Sequence, residues 1–168
     1  MVELLLRHGA DPRAVQPGGE TALMTAARTG KPGPVKALLE GGADPNACER
    51  AGQTALMWAA AEGNTEAVQL LLGAGAELKA TVDSGFDAFF FAARNGRRDT
   101  VRALLRAGAD VRAAMEPRRP ASRGPGRGSS ALVLAIENGH YELAMALLEA
   151  GADPNDQRSG YAPLHVMT

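Results

Sequence analysis

Gly52 to Lys79 reads GQTALMWAAAEGNTEAVQLLLGAGAELK. Thr54-Ala55-Leu56-Met57 opens an Ala-rich run through Trp58, Ala59, Ala60 and Ala61, with a capping-type residue in front and Gly63 behind, so the pattern predicts a short helix that stops at Gly63. Val68, Leu71 and Leu72 then recur at helical spacing up to Gly75-Ala76, which predicts a second helix. The few residues between the two make them an antiparallel pair joined by a tight turn.

The frame recurs 33 residues upstream and 33 residues downstream, and a fourth time after a longer interval. Upstream, Gly19-Glu20-Thr21-Ala22-Leu23-Met24 leads through Ala26-Ala27 and Gly30 to Val35, Leu38, Leu39 and Gly42-Ala43-Asp44. Downstream, Gly85-Phe86-Asp87-Ala88-Phe89-Phe90 leads through Ala92-Ala93 and Gly96 to Val101, Leu104, Leu105 and Gly108-Ala109-Asp110. A fourth copy runs from Ser130-Ala131-Leu132 to Gly151-Ala152-Asp153. Such a chain resembles the ankyrin repeat family, whose units open T-P-L-H-x-A. Ala162-Pro163-Leu164-His165 is the nearest match to that opening, and Thr54-Ala55-Leu56-Met57 is a looser one.

The resemblance implies an all-α solenoid of helix-turn-helix units joined by finger-like turns. It divides residues 1–168 as a single domain: a partial repeat over 1–15, repeats over 16–48, 49–81 and 82–114, an Arg/Pro/Gly-rich insert over 115–127, a repeat over 128–156 and a partial repeat over 157–168. The first segment matches only the second helix of a unit and the last only its opening, so a fragment of a longer protein is expected. A unit this short cannot bury enough apolar surface to offset its own ordering, so neighbours must stack, and incomplete end units should favour weak end-to-end self-association.

Composition narrows the function classes. The net charge of −1 selects neither polyanion nor polycation, although Arg94 to Arg127 holds ten basic residues against Asp99, Asp110 and Glu116, a local +7. Cys48, the single cysteine, excludes an internal disulfide. Residues 1–8, MVELLLRH, carry no basic leader and too short an apolar run for a signal peptide, and no stretch is long enough for a membrane span, so a cytoplasmic protein without a membrane partner is the default expectation.

Local departures carry their own expectations. Thr21, Thr54, Asp87 and Ser130 stand where first helices begin and can cap them. Lys31-Pro32-Gly33-Pro34 should start its helix near Pro34 and leave it slightly short. Phe91 matches Trp58 as core filling. The insert has the proline, glycine and arginine content of an exposed loop.

Catalytic chemistry is not legible. His8, His140 and His165 are far apart, Cys48 has no Cys or His nearby, and Gly124-Pro125-Gly126-Arg127-Gly128 follows no strand, so no metal site, cofactor or phosphate loop is expected. His165 matches the family's structural His, which bonds backbone near the turn.

The resemblance places partner recognition on a concave face built from the finger turns and the exposed side of each first helix. Carried over position by position, that face comprises Glu20, Arg28 and Thr29, then Arg50, Gln53, Ala61 and Glu62. It continues through Asp83, Phe86, Arg94 and Asn95, then Arg127, Ser129, Glu137 and Asn138, and ends at Arg158 and Tyr161. Phe86 and Tyr161 stand out as exposed aromatics, unless each ring folds back onto the next finger. Arg118, Arg119, Arg123 and Arg127 could form a polyanion-binding loop, for nucleic acid or an acidic protein, but they lack the interleaved aromatics that base stacking uses. The expected function is therefore a non-enzymatic protein-protein interaction module. The alternatives are an accessory or regulatory segment of a larger enzyme or effector, and polyanion binding through Arg94–Arg127.

Overall fold

The computed structural model describes residues 1–117, 128–160 and 162–166. Its helices are short and evenly spaced: α1 (Val2–Arg7), α2 (Ala22–Thr29), α3 (Pro32–Glu40), α4 (Ala55–Glu62), α5 (Thr65–Gly73), α6 (Ala88–Arg94), α7 (Arg98–Arg106), α8 (Ala131–Glu137), α9 (Tyr141–Glu149) and α10 (Pro163–Val166). The even-numbered helices from α2 to α8 pack side by side as an inner layer that α10 extends. Behind them α1, α3, α5 and α7 form an outer layer, while α9 packs mainly on α8. An ion pair between Arg98 and Glu142, at 3.8 Å, spans α7 and α9.

Each inner helix starts at the residue the sequence marks. The side chains of Thr21, Thr54, Asp87 and Ser130 accept hydrogen bonds from the backbone N–H groups of Met24 (3.2 Å), Met57 (3.4 Å), Phe90 (2.9 Å) and Val133 (3.4 Å). Gly63 ends α4 at φ 81°, a left-handed conformation that a Cβ would strain. The four inner helices then bring their alanines together: Ala27, Ala59, Ala60, Ala92, Ala93 and Ala135 have no exposed surface. Leu23, Leu56, Phe89 and Leu132 fill the space towards the outer layer, where Val35, Val68, Val101 and Leu143 meet them.

One helix start differs from expectation. α3 begins at Pro32 rather than near Pro34, and at nine residues it is as long as α5, α7 and α9. Pro32 sits in the first turn, where a missing N–H leaves no hydrogen bond unmade, so neither proline shortens the helix.

Between units the chain makes a two-armed finger. Its arms are joined by Gln16 N–H to Glu20 O (2.8 Å), Glu49 N–H to Gln53 O (3.0 Å), Val82 N–H to Phe86 O (3.0 Å) and Met115 N–H to Ser129 O (2.9 Å). In the fourth finger the same pairing holds although the two arms are much further apart in sequence. Met115, placed in the insert by spacing alone, is 1% exposed and belongs to the core.

Polar side chains then tie each unit to its neighbour. Asn64 Nδ2 donates to the carbonyls of Ala27 (2.8 Å) and Arg28 (2.9 Å), Arg97 Nε to Ala61 O (2.9 Å), and His140 Nε2 to Arg94 O (3.0 Å). All three follow a helix-ending glycine and bond carbonyls at the end of the previous inner helix, where the intrahelical ladder supplies no donor. On the opposite side Arg13 Nε reaches Gly42 O (2.8 Å), Asn46 Nδ2 reaches Gly75 O (3.1 Å), and Arg112 Nε reaches Gly151 O (3.0 Å).

Candidate functional site

The face between the inner helices and the fingers lies away from the outer layer, and two positions in each unit build it. One is the residue four positions after the cap, half-buried as Thr25 and Trp58 and buried as Phe91 and Leu134. The other is the position three residues later: Arg28, Ala61, Arg94 and Glu137.

On this face Arg28 of α2 reaches across to α4 and lays its guanidinium 5.1 Å from the centre of the Trp58 ring. Trp58 is fixed underneath, because its Nε1–H donates to Gln53 Oε1 of the adjoining finger at 3.0 Å. Arg94 of α6 makes a second platform, 5.0 Å from the Phe86 ring and 5.5 Å from Phe91. Stacking on an aromatic face attracts the cation while leaving the edge of the guanidinium, with its N–H donors, free to point outward. Among the described residues neither arginine has a carboxylate within salt-bridge distance.

Phe86 corrects an expectation. It is 3% exposed and packs against Phe91 (centroids 5.0 Å apart) and edge-on to Phe90 (6.4 Å). The ring folds back onto the helix of its own unit, because Phe91 offers an aromatic wall there and Arg94 covers it; it is not an exposed anchor. Ser129 is likewise buried, at 1%, as a finger residue.

Arg158 is also committed internally. Its guanidinium donates to Asp156 Oδ1 (2.8 Å) and Oδ2 (2.6 Å) and to Arg112 O (2.7 Å). These bonds hold the buried Asp156 carboxyl below its ordinary pKa. Asn95 donates to Ala61 O at 2.9 Å, Asn138 to Leu134 O at 2.8 Å, and the Thr29 hydroxyl to Ala26 O at 2.8 Å, so these three serve the frame. Glu62 lies 3.9 Å from Arg97. Arg50 and Glu137 are exposed, and partial desolvation raises the Glu137 pKa. Glu20 is half-buried, and Asp83, at the third finger's tip, is exposed. Arg118, Arg119, Arg123, Arg127 and Tyr161 lie outside the described residues.

Sequence reasoning took Trp58 for core and so missed its part in the site. The signal was its place four residues after Thr54, where Thr25 is small and polar, together with Gln53 one residue before the cap. His140, set aside for lack of metal spacing, and Asn64 and Arg97 were missed as inter-unit ties; their common position after each glycine was the available sign.

Among the described residues no three His, Cys, Asp or Glu side chains gather as metal ligands, and no helix is long and apolar enough to cross a membrane. A family model for ankyrin repeats (3 copies) matches residues 1–82, 34–115 and 89–167. No curated protein matches the chain.

Proposed function

Because the chain belongs to the ankyrin repeat family, whose members are generally protein-protein interaction modules, we propose that it is a non-enzymatic binding module whose recognition surface is the inner face carrying Arg28, Trp58, Ala61 and Arg94. The observation that carries this reading is the stack of Arg28 on Trp58. A half-buried Trp, fixed by a hydrogen bond and covered by the Arg28 guanidinium, offers large contact area at little entropic cost, and Trp and Arg dominate binding hot spots. The frame beneath it supports the same role: carbonyls at the ends of α2, α4 and α6 are tied to the next unit, so few side chains remain to be ordered on binding.

A photo-crosslinking residue placed at Ala61 and, separately, at Gln69 on the exposed side of α5 tests the assignment. Peptides selected on the full chain from a random library should crosslink through position 61 and not through 69. Crosslinking through 69 alone would place recognition on the outer helices.

A further inference from the structure

Resting on that reading of the inner face, we propose that its ligand is an extended acidic segment of a partner protein, with two carboxylates held by Arg28 and Arg94. The equivalent positions of α2, α4, α6 and α8 carry Arg28, Ala61, Arg94 and Glu137 in that order. Both arginines lie over aromatic rings, at 5.1 Å from the Trp58 centroid and 5.0 Å from the Phe86 centroid, which places each guanidinium on this face before a ligand arrives. The planar guanidinium suits bidentate contact with a carboxylate.

The intervening charges leave the pair unmatched. Glu62 lies beside Arg97 at 3.9 Å, and no carboxylate among the described residues comes within salt-bridge distance of either platform arginine. Ala61, half-buried and small, keeps the path between them low. Beyond Arg94 the sign reverses at Glu137, which disfavours a third carboxylate there and sets the register of the ligand.

Geometry specifies the spacing. Adjacent packed helices stand about 8–10 Å apart, so α2 and α6 are separated by about 16–20 Å. An extended chain rises about 3.3 Å per residue, which places the two carboxylates about five or six residues apart. A helical ligand would advance only about 1.5 Å per residue and would need twice the separation.

The test is fluorescence anisotropy with labelled eight-residue peptides of Gly, Ser and Thr bearing two Glu residues, five apart or two apart, and a peptide with Lys at the five-apart positions. The full chain should bind the wide-spaced Glu peptide at least about tenfold more tightly than either other peptide, with affinity falling as salt rises. The double variant Arg28→Gln, Arg94→Gln should lose that preference, while Arg102→Gln, Arg106→Gln on the outer helix α7 should keep it. Equal binding of all three peptides, or a preference unchanged by Arg28→Gln, Arg94→Gln, overturns the acidic ligand. Library peptides that still crosslink at position 61 would then leave the inner-face reading standing, whereas failure at position 61 as well would remove both.

Discussion

The guanidinium of Arg94 lies 5.0 Å from the centre of the Phe86 ring, and the ring itself is 3% exposed: the arginine forms the surface and the phenylalanine its floor. The two residues should therefore separate in their effects. Phe86→Ala opens a cavity against Phe90 and Phe91 and is expected to destabilise the fold by about 3–5 kcal/mol. Arg94→Ala removes the cation–π contact of a half-buried guanidinium, about 1 kcal/mol, and should cost far less stability than Phe86→Ala. Urea unfolding of both variants checks this, and equal losses would show that Phe86 is no core residue.

The ties between units predict an asymmetry between two substitutions at one site. His140 Nε2–H donates to Arg94 O, and Asn64 fills the equivalent position two inter-unit steps earlier by donating to Ala27 O and Arg28 O. His140→Ala should cost about 0.5–1.5 kcal/mol, with faster amide exchange at the end of α6, because a carbonyl loses its partner. His140→Asn should recover most of that loss. Identical behaviour of the Ala and Asn variants would mean that the bond carries no weight.

Asp87 caps α6 where Thr21, Thr54 and Ser130 cap the other inner helices. Burial raises its carboxyl pKa, outweighing the lowering by the N–H groups of Phe90 and Phe89. Its protonated form is thus bound more tightly in the folded state than in the unfolded one. This contribution is fully present below the unfolded value of 3.8 and is lost as pH rises through the raised folded value. Asp87→Thr keeps a cap without the buried charge, so at pH 7 the variant should melt higher than the parent, with the gap closing as pH falls towards 4. A variant that melts lower at pH 7 would show that the charged cap is worth more than its desolvation costs.

Apolar side chains remain open at both ends of the 168-residue polypeptide: Leu4 and Leu5 on α1 are 52% and 53% exposed, and Leu164 on α10 is 73% exposed. Leu5 occupies the place that Leu38 fills in α3, where it is 3% exposed. The polypeptide should associate end to end at high concentration, and Leu5→Glu with Leu164→Glu should reduce that association in sedimentation runs. A parent that stays monomeric at every concentration would contradict it.

The layers, the caps and the paired helices were legible because each depends on residues close in sequence: a Thr three residues before the N–H it accepts, or alanines at one helical spacing. Phe86 was not legible, because its burial depends on Phe91 and Arg94 together and no other unit has that combination. The start of α3 was misplaced by weighing Pro34 over Pro32, although either fits a first turn. The ties from Asn64, Arg97 and His140 span 36 to 46 residues to their acceptors in at least one bond each, so they emerge only when units are superposed. Arg158 looked free for the converse reason: its main partner, Asp156, is two residues away, but the burial that makes the pair structural comes from the fold.

Trp58 is the chain's single tryptophan, so its indole Nε1–H gives one NMR resonance, reporting the bond to Gln53 beneath Arg28. Titrating the full chain with binders selected from a random peptide library is the most direct measurement. The inner-face account predicts that the indole peak and the Ala61 amide shift together, while the amides of Gln69 and Arg102 on the outer helices stay in place. Shifts confined to α5 and α7, with the indole peak unmoved, would contradict it.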